Sequence, residues 1–447
     1  MAKKGKKGGR EREKGEGRGG GSFTFLGTTF GSVGRETVKR HLIALVLVSL
    51  VTKGLVLVLT PAIFRSFIDL FDLGYYLQTA QLLLQGQVPY LSFSFEYPPL
   101  VFLPIGLALI PALALQSGGA FVSAFQLLMV LCDLGTLICV YFIALRVWDE
   151  KTAWYAGLVY ATAFSASYFV LTKYDAFPTL LLMGAILFTV YDKRVPGYVS
   201  ATLGFFAKVF PAVAFPFMIL HNAKTTSLKE EVITAVKVVL PFAVVLFIPF
   251  LLLRPDHLNT YLFATGASVG VYAGTATFTL YSYIHDVVHL GLSAGTVSLF
   301  MYLLMGLAML LLLWIGWRDR RKSPVTLLKL TGCAIFAFVL FSKFHSPQYI
   351  VWYTPFLALL VAGDLLKTGL FYLVQALAYI EFPLLFGTFY VNLNYLNPAG
   401  SGGWYLTLLF FTLEYLALIL LFALAVRPEG GFRAALRSYA PESMGRG

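Results

Sequence analysis

Apolar stretches of about 20 residues recur along the chain from Leu42 to Val426, each long enough to cross a hydrocarbon core as a helix. The first is Leu42–Phe64. Further strong ones are Phe121–Val147, Ala153–Thr172, Asp175–Tyr191, Val232–Leu253, Leu292–Trp317, Val325–Phe344, Tyr349–Leu366, Leu370–Tyr390 and Trp404–Val426. Two other apolar segments are interrupted. Leu100–Leu115 contains Pro104 and Pro111, and Val199–Leu220 contains Pro211 and Pro216 with Lys208 about midway. Proline removes a helical hydrogen bond. The first is therefore expected as a juxtamembrane helix and the second as a broken, re-entrant pair shielded by protein or water.

Composition agrees with this pattern. Hydrophobic residues make up 58% of the chain and charged residues 13%, about half the charge of a soluble domain. The net charge of +12 does not point to nucleic acid. Lys3, Lys4, Lys6, Lys7, Arg10, Arg12, Lys14 and Arg18 lie among glycines in the first 20 residues, a composition expected to be disordered. The rest flanks apolar segments, where the positive-inside rule puts it and anionic lipid is its partner. The domains expected are a basic cytoplasmic tail over 1–36, a transmembrane domain over 37–427 and a short cytoplasmic tail over 428–447. Lys39, Arg40 and His41 precede the first span, and Arg427, Arg433 and Arg437 follow the tenth. Both termini are thus expected in the cytoplasm, with the cell membrane as location. Arg146/Lys151, Lys193/Arg194, Lys224/Lys229 and Arg318/Arg320/Arg321/Lys322 then also fall inside. Cys132, Cys139 and Cys333 lie within apolar stretches with no metal spacing.

That topology gathers unusual polar residues on the external side, where intramembrane ionisable groups are functional candidates. Asp69 and Asp72 follow the first span, and Asp72 and Tyr76 share a helical face. Either aspartate could instead cap a helix. Glu96 and Tyr97 precede Pro98 and Pro99. Lys173 and Asp175 lie between the third and fourth spans, where Asp175 could be a cap. Lys208 could snorkel, but its mid-segment place favours a buried role. Lys343, His345 and Gln348 fall within six residues and can donate to a phosphate, whereas Tyr349 and Trp352 also suit an aromatic belt. No nucleotide-binding glycine loop is present.

At these residues the chain resembles the GT-C glycosyltransferases. Asp72-Leu-Gly-Tyr-Tyr, Gly86-x-x-Pro-Tyr90 and Tyr97-Pro-Pro-Leu100 look like the first external loop of the branch with polyprenol-phosphate-dependent mannosyl- and arabinofuranosyl-transferases, often listed as a domain of unknown function. Tyr174-Asp175-Ala-x-Pro and Gly204-x-x-Ala-Lys208-x-x-Pro211 match further stretches of it. Ser346-Pro-Gln-Tyr-x-x-Trp352 is similar to a segment of the first mannosyltransferase of GPI-anchor assembly. The resemblance implies an all-α, GT-C-like bundle of about 10–12 transmembrane helices with external juxtamembrane helices in the first loop. It implies a polyprenyl- or dolichyl-phosphate sugar donor, mannose favoured, and a lipid- or glycan-linked acceptor. Asp72 is the catalytic position implied, with Asp69 the alternative. The substrate-binding set is Tyr76, Glu96, Tyr97, Lys173, Asp175, Lys208, Lys343, His345, Gln348, Tyr349 and Trp352. These residues name no particular cofactor. A divalent metal, Mg²⁺ or Mn²⁺, stays open, since there is no clean Asp-x-Asp or Asp-Glu pair.

The chemistry agrees without the family. Inverting transfer needs a carboxylate to take the acceptor proton, and the departing lipid phosphate needs positioned donors. The alternative reading is a transporter or lipid-linked-sugar flippase, which would set ionisable groups near the middle of several spans. Apart from Lys208, Lys237 and Glu381, the pattern crowds them at one side.

Overall fold

The computed structural model describes residues 22–66, 68–254, 270–385 and 402–427. A hairpin of β1 (Phe23–Phe25) and β2 (Thr28–Phe30) leads into α1 (Arg35–Ala62). Next come α2 (Phe71–Leu84), α3 (Phe102–Ala114), α4 (Gly118–Val147), α5 (Glu150–Ala161), α6 (Phe164–Thr172) and α7 (Ala176–Val190). They are followed by α8 (Arg194–Ala207), α9 (Ala214–Asn222), α10 (Leu228–Leu246) and α11 (Ile248–Leu253). The remainder is α12 (Ala276–Ser282), α13 (Ala294–Arg318), α14 (Pro324–Phe341), α15 (Ile350–Val361), α16 (Leu365–Tyr379) and α17 (Gly402–Val426). Helix starts carry the local chemistry that orphan N–H groups need. Ser117, Asp149, Ser227, Ser293, Ser323 and Asp364 each accept a first-turn amide, and Ser227 with Glu230 has the spacing of a capping box.

Six helices are long and apolar enough to cross a membrane, and α6 with α7 makes a seventh if that bent pair is one span. The chain is an all-α polytopic membrane protein. Every stretch expected to span carries helix, although several are broken. Ala153–Thr172 divides into α5 and α6, and Val232–Leu253 divides at Phe247. Residues 386–390 of the ninth stretch lie outside the described residues. The interrupted segment Val199–Leu220 is broken at Lys208 as expected. Lys208 reaches Asp175 at the start of α7, whereas Asn222 at the end of α9 donates to Tyr198 near the start of α8. The pair therefore goes up and comes back.

The hairpin falls inside the expected tail. Phe25 stacks on Phe142 with centroids 3.8 Å apart and meets Tyr191 edge-on, so alternation of Phe and Thr gives one face that packs on the helix ends. Residues 1–21 and 428–447 lie outside the described residues. Two ends of the bundle are defined by α7. At its finish, Asp192 pairs with Arg146 and Lys322. At its start the chain turns by 119° through Lys173, Tyr174 and Asp175, and the candidate site lies there.

Candidate active site

A cavity of about 480 Å³ opens at that end. Asp69, Asp72, Glu96, Tyr97, Lys173, Lys208, Gln348 and Tyr349 all line it. Residues up to 280 positions apart in sequence thus share one wall, and most of the expected site residues are among them.

The head of α2 separates the two aspartates. Asp69 lies before the helix, and its Oδ1 accepts from Phe71 N at 2.9 Å. Its backbone N–H donates to Tyr168 on α6, and its Oδ2 accepts from Lys173 Nζ at 2.7 Å. Asp69 is therefore the residue that orders the helix start. Asp72 sits in the first turn without capping anything. Lys173 Nζ lies 3.1 Å from Asp72 Oδ1. Burial pushes the Asp72 carboxyl above its usual range, and Lys173 pulls against that. Glu96, at the rim, is also raised, first by partial desolvation of its carboxyl and then by the charge of Asp72.

Asp175 does not cap α7. Its fully buried carboxylate accepts instead from Lys208 Nζ at 2.7 Å, Trp352 Nε1 at 2.5 Å and Gln348 Nε2 at 3.1 Å. It ties the start of α7 to the end of α8 and to the Gln348–Trp352 stretch, and it is fully buried. Lys208 ends α8 in extended backbone, and its ammonium stands 5.1–5.7 Å from the rings of Tyr97, Tyr174, Tyr349 and Trp352. Faces of aromatic rings attract such a cation. Snorkelling is thereby replaced by a built environment.

Besides Asp175 and Trp352, three expected residues lie outside the cavity lining. Tyr76 shares the Asp72 side of α2 but is fully buried against Tyr97, Phe125 and Tyr174, forming the floor under the wall. His345 is buried behind the cavity. Its Nδ1 donates to the Tyr415 hydroxyl at 2.8 Å, and Tyr415 donates to the Gly274 carbonyl. Burial takes the His345 ring down to about 4, so it is neutral. Lys343 offers its carbonyl to Tyr272 N at 2.9 Å, and its side chain is not part of the cavity lining. The segment Ser342–Gln348 thus supplies Ser346 and Gln348 to the wall and spends His345 on anchoring. Phe169, Tyr272 and Phe382 also line the cavity. As aromatic residues among many, they carried no sequence signal.

A second, mostly apolar groove of about 570 Å³ runs beside the first and shares Lys208, Phe344 and Tyr349 with it. Phe210, Tyr302, Met309, Ile335 and Phe338 extend it between the α8–α9 break, α13 and α14. Trp352 forms part of it, stacked between Phe210 and Tyr349 with centroids 4.0 and 3.7 Å away.

These features define a membrane-embedded protein with a polar cavity of carboxylates and lysines at one end, opening beside an apolar groove. The chain belongs to glycosyltransferase family 87, whose model matches residues 95–342, more than half of its length. No protein of curated function matches its sequence. Among solved structures it is similar to ArnT from Cupriavidus metallidurans bound to undecaprenyl phosphate, at 14% identity and a TM-score of 0.46, covering 86% of this chain and 76% of that one. It is also similar to the oligosaccharyltransferase of Archaeoglobus fulgidus in the apo form, at 12% identity and a TM-score of 0.44, covering 87% of this chain. The chain spans 55% of that protein's length.

Proposed function

We propose that this protein moves a hexose or pentose, mannose favoured, from a polyprenyl or dolichyl phosphate to a lipid- or glycan-linked acceptor, with inversion. The branch of mannosyl- and arabinofuranosyl-transferases, and the likeness to the first GPI mannosyltransferase around Ser346–Trp352, belong to the same proposal. So do an external position for the cavity and the cell membrane as location.

One observation carries the reading. Asp72, a caged lysine at Lys208 and the mouth of an apolar groove meet in one cavity. The lipid chain takes the groove, and its phosphate stands at Lys208, with Ser346 and Gln348 on the same wall. The acceptor hydroxyl approaches from the Asp72 side. Its oxygen bonds to the anomeric carbon as the carbon–oxygen bond to the phosphate breaks. The proton passes to Asp72, and the bonding pair leaves with the phosphate, where Lys208 balances the growing charge. Asp175 holds Lys208 in place without touching the sugar.

The test is transfer by purified protein in lipid, given a panel of polyprenyl-phosphate sugars. Asp72→Asn keeps shape and should bind donor while turnover falls by roughly 10²–10⁴-fold. Asp69→Asn should cost less turnover and more stability. If Asp69→Asn abolishes transfer and Asp72→Asn does not, the base is Asp69.

A further inference from the structure

Two aspartates three residues apart, with Glu96 on the same cavity wall, have the composition of a divalent-metal site. The structure fills that position with a side chain. Lys173 Nζ lies between them, 2.7 Å from Asp69 Oδ2 and 3.1 Å from Asp72 Oδ1, and its side chain is only 9% exposed. The other Asp69 oxygen accepts from the Phe71 backbone. Three of the pair's four carboxylate oxygens are thus engaged. Mg²⁺ demands a near-octahedral oxygen shell at about 2.1 Å. A cation seated between these carboxylates would also meet the ammonium at contact distance, where like charges repel strongly in a site poor in water. Among the described residues, no three His, Cys, Asp or Glu side chains are grouped to hold a metal. The residues present do not fit a divalent metal.

The lysine is not there by accident of a long, mobile side chain. It ends α6 in extended backbone, its N–H donating to the Phe169 carbonyl at 2.8 Å. Asp175, two residues on, is locked to Lys208. One short turn therefore fixes both cations of the cavity.

We propose that Lys173 is a built-in cation standing where a divalent metal would otherwise sit, so that transfer by this protein is metal-independent. This rests on the transferase reading above. Lys173 keeps Asp72 ionised between turnovers and points its remaining oxygen at the acceptor. The charge on the leaving phosphate falls to Lys208.

The experiment has one arm without substrate. Mn²⁺ binding to the full chain in lipid nanodiscs is followed by electron paramagnetic resonance. The parent protein should show no site-bound Mn²⁺, and its transfer activity should be unchanged after EDTA. Lys173→Ala vacates the position and should gain a Mn²⁺ site that Asp69→Asn, added to it, removes. Parent protein that binds Mn²⁺ in a way abolished by Asp72→Asn overturns the proposal. So does parent activity lost in EDTA and restored by Mn²⁺, and so does a folded Lys173→Ala protein that binds no Mn²⁺. Where Lys173→Ala does not fold, the parent measurements decide alone. Failure to turn over any donor would count against the transferase reading, and the Mn²⁺ arm would still settle the role of Lys173.

Discussion

Asp69 and Asp72 are the same side chain at nearly the same place, and hydrogen bonding divides their work. An aspartate that accepts a backbone amide two residues on stabilises a turn, and Asp69 does this while also holding Lys173. Asp72, one step into the helix, caps no amide and meets Lys173 through Oδ1. Its carboxyl is raised, chiefly by burial, and Lys173 opposes the rise. The sign for activity follows directly. A base works only when ionised, so on the proposal that Asp72 is the base, turnover should be lost as pH falls through its pKa, and that loss should come above the ordinary aspartate value of about 4. Lys173→Met removes the opposing charge and should move the acid limb of the profile to still higher pH. A pH–rate profile of parent and variant checks both. An acid limb unmoved in Lys173→Met would separate Lys173 from the base.

At the scale of elements, the break after α8 explains why a lysine can sit inside an apolar segment. A Cβ on Gly204 would lie 2.8 Å from Pro211 Cβ and 3.4 Å from Leu181 Cβ. The glycine and the proline of Gly204-x-x-Ala-Lys208-x-x-Pro211 therefore touch across the turn, and this close approach leaves Lys208 at its tip. Gly204→Ala should force the turn open, costing about 1–3 kcal/mol as overpacking does, and should lower turnover by displacing Lys208. Gly106→Ala on α3, where a Cβ meets nothing within 4 Å, should change neither. Thermal unfolding beside transfer assays separates the two effects. Much of this site was legible in sequence, because a polar residue inside an apolar run stands out. Lys208, Asp175 and Gln348 were found that way. What the pattern could not supply was partnership. Periodicity places a residue on a helix face but does not say which helix that face meets. Asp175 therefore reads as a substrate contact or a cap, although its carboxylate accepts from Lys208, Gln348 and Trp352, and His345 reads as a phosphate ligand, although its ring is bonded to Tyr415. The same limit hid Lys53 and Asp133 inside expected spans. They pair at 2.6 Å, with Ser49 and Tyr160 completing the network between α1, α4 and α5. That bonded network accounts for Lys53 and Asp133 without a transport path.

For the whole molecule, charge and geometry divide the bundle in the same way. Arg146, Lys193, Arg194, Lys224 and Lys322 gather at the end of the bundle marked by Asp192, and the carboxylate cavity lies at the other. Positive residues favour the cytoplasmic side, which is the ground for proposing that the cavity faces outward. Residues 66–120 should then be external, although they include the apolar run that forms α3. Gly119 is exposed next to the Ser117 cap of α4, so a cysteine there is accessible without disturbing the core. Gly119→Cys should react with an impermeant thiol reagent added to intact cells. Arg320→Cys, exposed at the opposite end, should react only after permeabilisation. The native cysteines set a low background, since Cys139 is buried and Cys132 and Cys333 are partly covered within α4 and α14. The reversed pattern would place the cavity in the cytoplasm. A donor presented from the outer leaflet could not then reach Lys208, and the acceptor would have to be cytoplasmic as well.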